Sequence, residues 1–442
     1  MSYGEGRVAV VGAGLAGSLM AVYLGRAGYA VDVFEKRPDP RSLGRQEGRS
    51  INLAISTRGL AALGRVGLAD RVLGEAVQMR GRMMHSSRGK LSFQPYGSKD
   101  QAINSVSRGR LNLILIEAAA LFPNVTCYFD SAPSDCDIDA GTITIKDEAG
   151  GSRTETYDAI IAADGAYSGI RREMLRRFGL SFQQDYLEHG YKELTISPTE
   201  DGDHRMFKNA LHIWPRGGYM MIALPNFDGS FTCTLFWPLK GLNSFAAITT
   251  EAEVEPFFTE HFADAVSLMP TLTADYMSNP TSTLVTIRCW PWHMGKAVLM
   301  GDACHAVVPF YGQGANAAFE DCVVLDDCIK ECNGDWAEVF KEYVTRRKRH
   351  TDTLADLAIG NFIEMRDRVA SSSFLIKKKV EKLLLGLVPG FVPLYSMITF
   401  STIPYADALA KSRRQNRIIG WTILSVTVFL AFMFAAAFMR QS

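Results

Sequence analysis

The stretch RVAVVGAGLAGSLMAVYLGRAGYAVDVFEKR, Arg7–Arg37, decides how the rest of the chain is read. A short apolar run, a glycine turn, a helix-length segment and a second apolar run follow one another without a gap. That is the order of a right-handed βαβ unit with parallel strands. Gly12, Gly14 and Gly17 stand in GxGxxG spacing at the first junction. Gly12 suits the tight turn, Gly14 lets a pyrophosphate approach the backbone, and Gly17 lets the helix lie on the sheet. The first helical turn then offers unpaired N–H groups and the positive end of its dipole to phosphate. Glu35 closes the second run, where an acid accepts hydrogen bonds from an adenosine ribose. The segment predicts a Rossmann-type dinucleotide site and leaves FAD and NAD unseparated.

At 442 residues the chain has room for two or three domains. Lys+Arg and Asp+Glu balance at 47 each, so no charge excess points to nucleic acid. Eight cysteines are scattered without a CxxC or a zinc-like spacing, which reads as thiols in a reducing compartment. Arg110–Phe122 reads as a helix. Thr142–Lys146 and Thr154–Tyr157 read as a hairpin leading to a buried strand at Ala159–Ala162. From Tyr186 to Ile287 short strands with Gly/Pro punctuation predict an antiparallel sheet, and after Asp321 the pattern is mostly helical.

The C-terminal run IIGWTILSVTVFLAFMFAAAFM, Ile418–Met439, is uncharged and of bilayer-spanning length. Lys411, Arg413, Arg414 and Arg417 precede it, so the positive-inside rule predicts a membrane-anchored enzyme or binding protein with a cytosolic main body. A buried terminal helix is the other reading. The basic, apolar stretch around Lys377–Leu385 is open between a core-covering helix and a segment resting on a membrane surface.

Two further motifs separate the cofactors. AADGAYSGIRR puts Asp164-Gly165 at a strand end, and GKAVLMGDACHAVVPFYGQGANAAFED puts Gly301-Asp302 at another, before a loop and a helix starting near Ala315. On these three motifs, in this order, the chain resembles the single-component FAD-dependent aromatic hydroxylases, the p-hydroxybenzoate hydroxylase-like family. The residues fit that resemblance. Asp302 can accept hydrogen bonds from ribityl hydroxyls, Gly312 and Gly314 let backbone approach the flavin ring, and the following helix aims its N-terminus there. That helix has an apolar stripe at Ala318, Cys322, Leu325 and Ile329, with Glu320, Asp321 and Asp327 expected elsewhere on its surface. His305 reads as structural rather than as a base, and Pro309 and Phe310 as a wall between flavin and substrate. The resemblance also implies FAD contacts from Leu15, Ala16, Lys36, Arg37, Ala54, Arg108, Asp164, Gln313, Ala315 and Asn316.

RGRMMHSSRGKLSFQPYG, INSVSRGRLN, GNFIEMR, FVPLYSMITFS and the hydrophobic tail resemble the kynurenine-hydroxylating subgroup of that family. The resemblance implies that Arg82 pairs with a substrate carboxylate, assisted by Tyr96, Asn361 and Tyr395, while Phe310 lines the ring pocket. Without it, Arg82 between Arg80 and Arg88 reads as an ordinary surface arginine. The implied reaction converts L-kynurenine to 3-hydroxykynurenine with NADPH and O2 through a flavin C4a-hydroperoxide, with no certain catalytic side chain and no metal. A second GxGxxG for NADPH is absent, as expected where the reductant visits transiently. The alternatives are a hydroxylase, epoxidase or reductase of this fold acting on another aromatic or a membrane lipid, or an inactive flavoprotein binding module. The implied membrane is the mitochondrial outer membrane for a eukaryotic source and the cytoplasmic membrane for a bacterial one.

The expected division is a discontinuous FAD-binding domain over 1–70, 101–185 and 288–330, with an inserted antiparallel β-sheet substrate domain over 71–100 and 186–287. C-terminal helices over 331–412 and a transmembrane helix over 418–439 complete it. Nothing is assigned to the diverged stretch around Ala132–Pro133.

Overall fold

A computed structural model describes residues 4–42, 52–97, 101–146, 151–177, 179–364 and 390–439. Its first unit is the βαβ read from the sequence: strand Arg7–Val11, helix Leu15–Ala27 and strand Ala30–Phe34. The two strands are parallel, with Arg7 opposite Ala30 and Val11 opposite Phe34. They belong to a six-stranded sheet ordered His293–Met294, Ala297–Leu299, Ala159–Ala162, Arg7–Val11, Ala30–Phe34, Val125–Tyr128. Helices cover both faces of such a sheet, which is why its strands are apolar runs rather than alternating ones. Asp32 is buried among them, and its carboxylate accepts from Arg7 at 2.7 Å and from the Tyr157 hydroxyl at 2.8 Å.

The register brings the three motifs together. Val11 lies opposite Ala162, and Ala162 opposite Leu299. Gly12, Asp164 and Gly301 therefore all leave the carboxyl ends of three adjacent strands, where open α/β sheets bind their ligands.

The second large sheet has seven strands in the order Ser282–Trp290, Ser181–Ile196, Phe231–Pro238, Met220–Pro225, Leu211–Pro215, Gly81–His85, Leu91–Pro95. It is not wholly antiparallel, as expected from the sequence, because Gly81–His85 runs parallel to Leu211–Pro215. The 81–85 strand enters from far away in sequence, and only its other neighbour, Leu91–Pro95, is a hairpin partner. Strand alternation gives the sheet two faces. Arg82, Met84, Ile213, Ile222, Thr234 and Phe236 share one. Trp214, Cys233, Leu235 and Trp237 share the other, packed on helices Glu251–Val266 and Leu272–Ser278.

Two three-stranded sheets complete the β structure among the described residues. The expected hairpin, observed as Thr142–Lys146 with Ser152–Thr156, gains a third strand at Pro133–Asp137, the stretch left unassigned from sequence. Asn52–Ile55, Ile103–Ser107 and Val77–Met79 form the other.

The C-terminal region contains helices Trp336–Ile363, Leu394–Thr399 and Tyr405–Met439. Among the described residues no helix is long and apolar enough to cross a membrane. The transmembrane helix expected over 418–439 is thus not found as an element of its own. Those residues continue a 35-residue helix, docked at its start through buried Tyr405 and Ala408 and charged at Lys411–Arg417. The stretch 374–389, left open between core and membrane surface, lies outside the described residues.

Candidate active site

At the nucleotide end the glycines divide into two kinds. A Cβ on Gly12, whose φ is +100°, would lie 2.6 Å from the Ala163 carbonyl oxygen, and one on Gly17 would lie 1.9 Å from that of Gly12. Both are required by the fold. A Cβ on Gly14 would meet none of the described residues within 4 Å, so the backbone there is open to the approach of a phosphate. The helix it opens, with Leu15 and Ala16 at its start, has no side-chain cap and leaves its first N–H groups available. Glu35 is buried; its carboxylate accepts from Ala13 N at 2.9 Å and from Arg37 N and Nε at 3.0 and 2.9 Å. Burial works to raise its pKa, but the Arg37 and Ala13 bonds outweigh it and hold the group below the usual carboxylate range. Lys36 and Arg108 are exposed.

At the other end of the cleft, Gly301 has φ +59° and precedes the short helix Asp302–His305, with the Asp302 side chain exposed. Asp164 accepts from Gly169 N at 2.7 Å through one oxygen, while its other oxygen is buried without a partner, and burial raises its pKa. Arg171 ties the two loops together by donating to Ala303 O at 2.5 Å and Ala166 O at 2.6 Å. Gly312 has φ +64° and lies against Ala54, where a Cβ would approach the Ala54 methyl to 3.2 Å. Gln313 and Asn316 turn their side chains into the protein. Asn316 bridges Ser56 N (2.9 Å), Ala54 O (2.8 Å) and Gly312 O (2.8 Å), and Gln313 meets Ser56 Oγ and the Tyr405 hydroxyl. The Gly312–Ala315 turn therefore offers backbone, at the uncapped start of helix Gly314–Glu331. A strand-end acid with an orphaned oxygen, an open Gly14 and two uncapped helix starts fit an extended dinucleotide such as FAD.

Asp321 departs from expectation. It is completely buried rather than on the helix surface, because helix Trp336–Ile363 covers that face. One oxygen accepts from His305 Nε2 at 2.6 Å and from Gly301 N at 3.0 Å, and the other from Arg347 Nε at 2.6 Å. Burial alone would raise its pKa, yet His305 and Arg347 hold it below the ordinary value. Glu320 joins Arg58 to Arg347 in the same network. His305 is thereby committed to holding the Gly301 turn. Arg58, Arg347 and Tyr405 carried no local signal in the sequence.

The remaining residues expected to contact substrate come together on one side of the seven-stranded sheet. The Arg82 guanidinium lies 4.8 Å from the Tyr395 ring centroid and 5.8 Å from that of Tyr96, and the two tyrosine rings stack at 5.8 Å. The Tyr96 and Tyr395 hydroxyls face the Arg82 guanidinium; among the described residues Arg82 Nε has no hydrogen-bond partner and no carboxylate pairs with Arg82. Burial pushes the Tyr96 phenol up, so it stays a neutral donor. Phe310, in the turn Pro309–Tyr311, stacks on Phe362 at 4.2 Å and meets Phe236 at 4.9 Å. Asn361 Nδ2 donates to Phe310 O at 2.6 Å, so this amide holds the aromatic wall in place. Phe236 and Phe362 were missed from sequence; the alternation in FTCTLFWP was the available signal for the first. Among the described residues the result is a half-buried cation without an anion at one end and an aromatic wall at the other.

Comparison with known proteins agrees with this geometry. Residues 5–358 match the FAD binding domain family. A kynurenine 3-monooxygenase of Salinispora tropica is 49% identical, covering 96% of this chain and 95% of its own length. One of Myxococcus xanthus is 48% identical, with coverages of 90% and 86%. In fold, the chain is similar to 2-methyl-3-hydroxypyridine-5-carboxylic acid oxygenase, with a TM-score of 0.68 at 19% identity over 90% of this chain and 96% of that one. The chain belongs to the FAD-binding aromatic hydroxylase family, among the kynurenine 3-monooxygenases.

Proposed function

We propose that the chain hydroxylates L-kynurenine: kynurenine, O2, NADPH and a proton give 3-hydroxykynurenine, NADP+ and water. The observation that carries this reading is the Arg82 guanidinium, with buried Nε and no paired carboxylate among the described residues, beside the Phe310 wall. An uncompensated buried charge is costly, and the carboxylate of an amino-acid substrate supplies the missing partner. The planar guanidinium binds that carboxylate through two parallel N–H bonds, and Tyr96 and Tyr395 add neutral hydroxyls. Phe310, Phe236 and Phe362 exclude water and orient the aryl ring. No side-chain base is required at the ring, because the ring amino group already donates electrons to the carbon that is hydroxylated.

FAD, held by the Gly12–Gly17 turn, Glu35, Asp302 and the Gly312–Ala315 backbone, supplies on binding the hydride acceptor for NADPH and the activation of O2. Arg171 and Asp321 keep the two strand-end loops in register, so the cofactor meets a preformed cradle.

The C-terminal helix supports attachment to a membrane. Ile418, Trp421, Leu424, Val428, Phe429 and Met433 are exposed on it, just beyond the basic Lys411–Arg417 stretch. The test of the activity is NADPH oxidation by the FAD-loaded chain with kynurenine added and hydroxylated product quantified. Stimulated oxidation with matching product is expected, and no product on kynurenine overturns the reading.

A further inference from the structure

Thr234 lies on strand Phe231–Pro238, fully buried, and its hydroxyl has no hydrogen-bond partner among the described residues. A buried unpartnered hydroxyl costs stability, and where one persists it calls for an explanation. Its ladder neighbours are Ile222 and Glu193, and its hydroxyl bonds to neither. Two residues further on the same face is Phe236, whose ring meets Phe310. Thr234 thus stands at the aromatic end of the site. Thr234 shares a cross-strand row with Met84, so Arg82 lies three strands away and two residues along the strand on the same face, roughly 16 Å at about 4.8 Å per strand and about 3.4 Å per residue. An arginine side chain and an extended aryl-keto amino acid together cover that span.

We propose that Thr234 Oγ accepts a hydrogen bond from the ring amino group of the bound aryl amine and so determines which ring carbon meets the flavin. This deepens the proposed function and rests on it. In an ortho-amino aryl ketone one N–H is held by the ketone oxygen. The other points toward the neighbouring unsubstituted ring carbon, and it is the one free to reach the threonine. Anchoring it prevents a half-turn of the ring about its bond to the ketone, which would carry the reactive carbon away from the cofactor.

The test uses the full FAD-loaded chain, wild type and the near-isosteric Thr234→Val, with ligand binding read from the flavin absorbance. The probes are kynurenine and its desamino analogue, 2-amino-4-oxo-4-phenylbutanoate. Thr234→Val is expected to weaken kynurenine binding about 3- to 15-fold and to leave the analogue within about 2-fold, the effect of one neutral hydrogen bond. It also raises the share of NADPH oxidised without hydroxylated product, and Thr234→Ser restores both properties. Equal weakening of the two ligands, or of neither, overturns the assignment. Should Thr234→Val lose its FAD, the wild type alone decides: it must bind kynurenine more tightly than the analogue, and equal affinities overturn the assignment. A wild type that hydroxylates kynurenine while failing these comparisons overturns only the role of Thr234. A wild type that forms no product overturns the proposed function itself.

Discussion

Asp321 and Arg347 are 26 residues apart in sequence and meet at 2.6 Å in the core, both shielded from solvent. The pair welds helix Gly314–Glu331 to helix Trp336–Ile363. Through its other oxygen Asp321 also holds His305 and the Gly301 turn. Removing one partner of such a pair leaves an uncompensated buried charge. Asp321→Ala should therefore cost about 3–5 kcal/mol of stability, read from the shift in the urea unfolding midpoint. It should also loosen FAD, since the turn that presents Asp302 loses its anchor. A variant with wild-type stability would contradict this account of the network.

Gly14 and Gly17 should behave differently when given a methyl group. Gly17→Ala places its Cβ 1.9 Å from the Gly12 oxygen and should not fold normally. Gly14→Ala meets no atom of the described residues within 4 Å, and the φ of −72° there suits alanine. It should fold with native circular dichroism and lose FAD affinity, measured by flavin fluorescence on dilution. Unchanged FAD affinity would show that the pyrophosphate does not pass over Gly14.

Arg82→Ala should cost about 2–4 kcal/mol of kynurenine binding, roughly 30- to 1000-fold, as expected for a lost charge-assisted contact. FAD content should not change, because Arg82 lies on the seven-stranded sheet and not on a cofactor loop. Near-normal kynurenine affinity in this variant would remove the basis for the substrate orientation.

His212 predicts a pH effect on stability. Burial pushes this imidazole down to about 4 from an ordinary 6.5. Its Nε2–H donates to Phe207 O at 2.9 Å and its Nδ1 lies 2.8 Å from His85 Nε2, a geometry that suits the neutral ring. The folded state resists the proton, so the contribution is complete above about pH 6.5 and is lost as the pH falls toward 4, amounting to about 3 kcal/mol. In His212→Leu, unfolding free energies measured across pH 7 to 4.5 should decline less steeply than in the wild type. Parallel curves would exclude His212 as the source.

A chain ending at Arg417 should leave the membrane fraction and keep its FAD, since the buried contacts Tyr405 and Ala408 precede the cut. Sedimentation after carbonate-free lysis distinguishes the outcomes. A truncated chain that still pellets with membranes would redirect attention to the basic stretch around Lys377–Leu385.

The nucleotide half of the site was legible because its parts are adjacent in sequence. A strand, a glycine turn and a helix start are made by consecutive residues, and the acid at Glu35 closes the next strand. The Gly301-Asp302 and Gly312–Gly314 turns were legible for the same reason. Arg82 was not: an arginine among arginines has no local mark, and it became a candidate only through resemblance. Its significance depends on Tyr96 and Tyr395, the latter more than 300 residues away. Asp321 was misplaced because one helix read alone cannot reveal that a second helix covers its polar face.

What the sequence by itself determined is the cofactor cradle and the family, since short-range backbone geometry and motif spacing are written in consecutive residues. Only the tertiary structure decided which charges are buried and what they face. Among the described residues it set Arg82 without a carboxylate partner, Asp321 between His305 and Arg347, and Thr234 beside Phe236 on the sheet face that carries Arg82. Burial is a property of the surroundings, and those surroundings are assembled from strands and helices far apart in the chain.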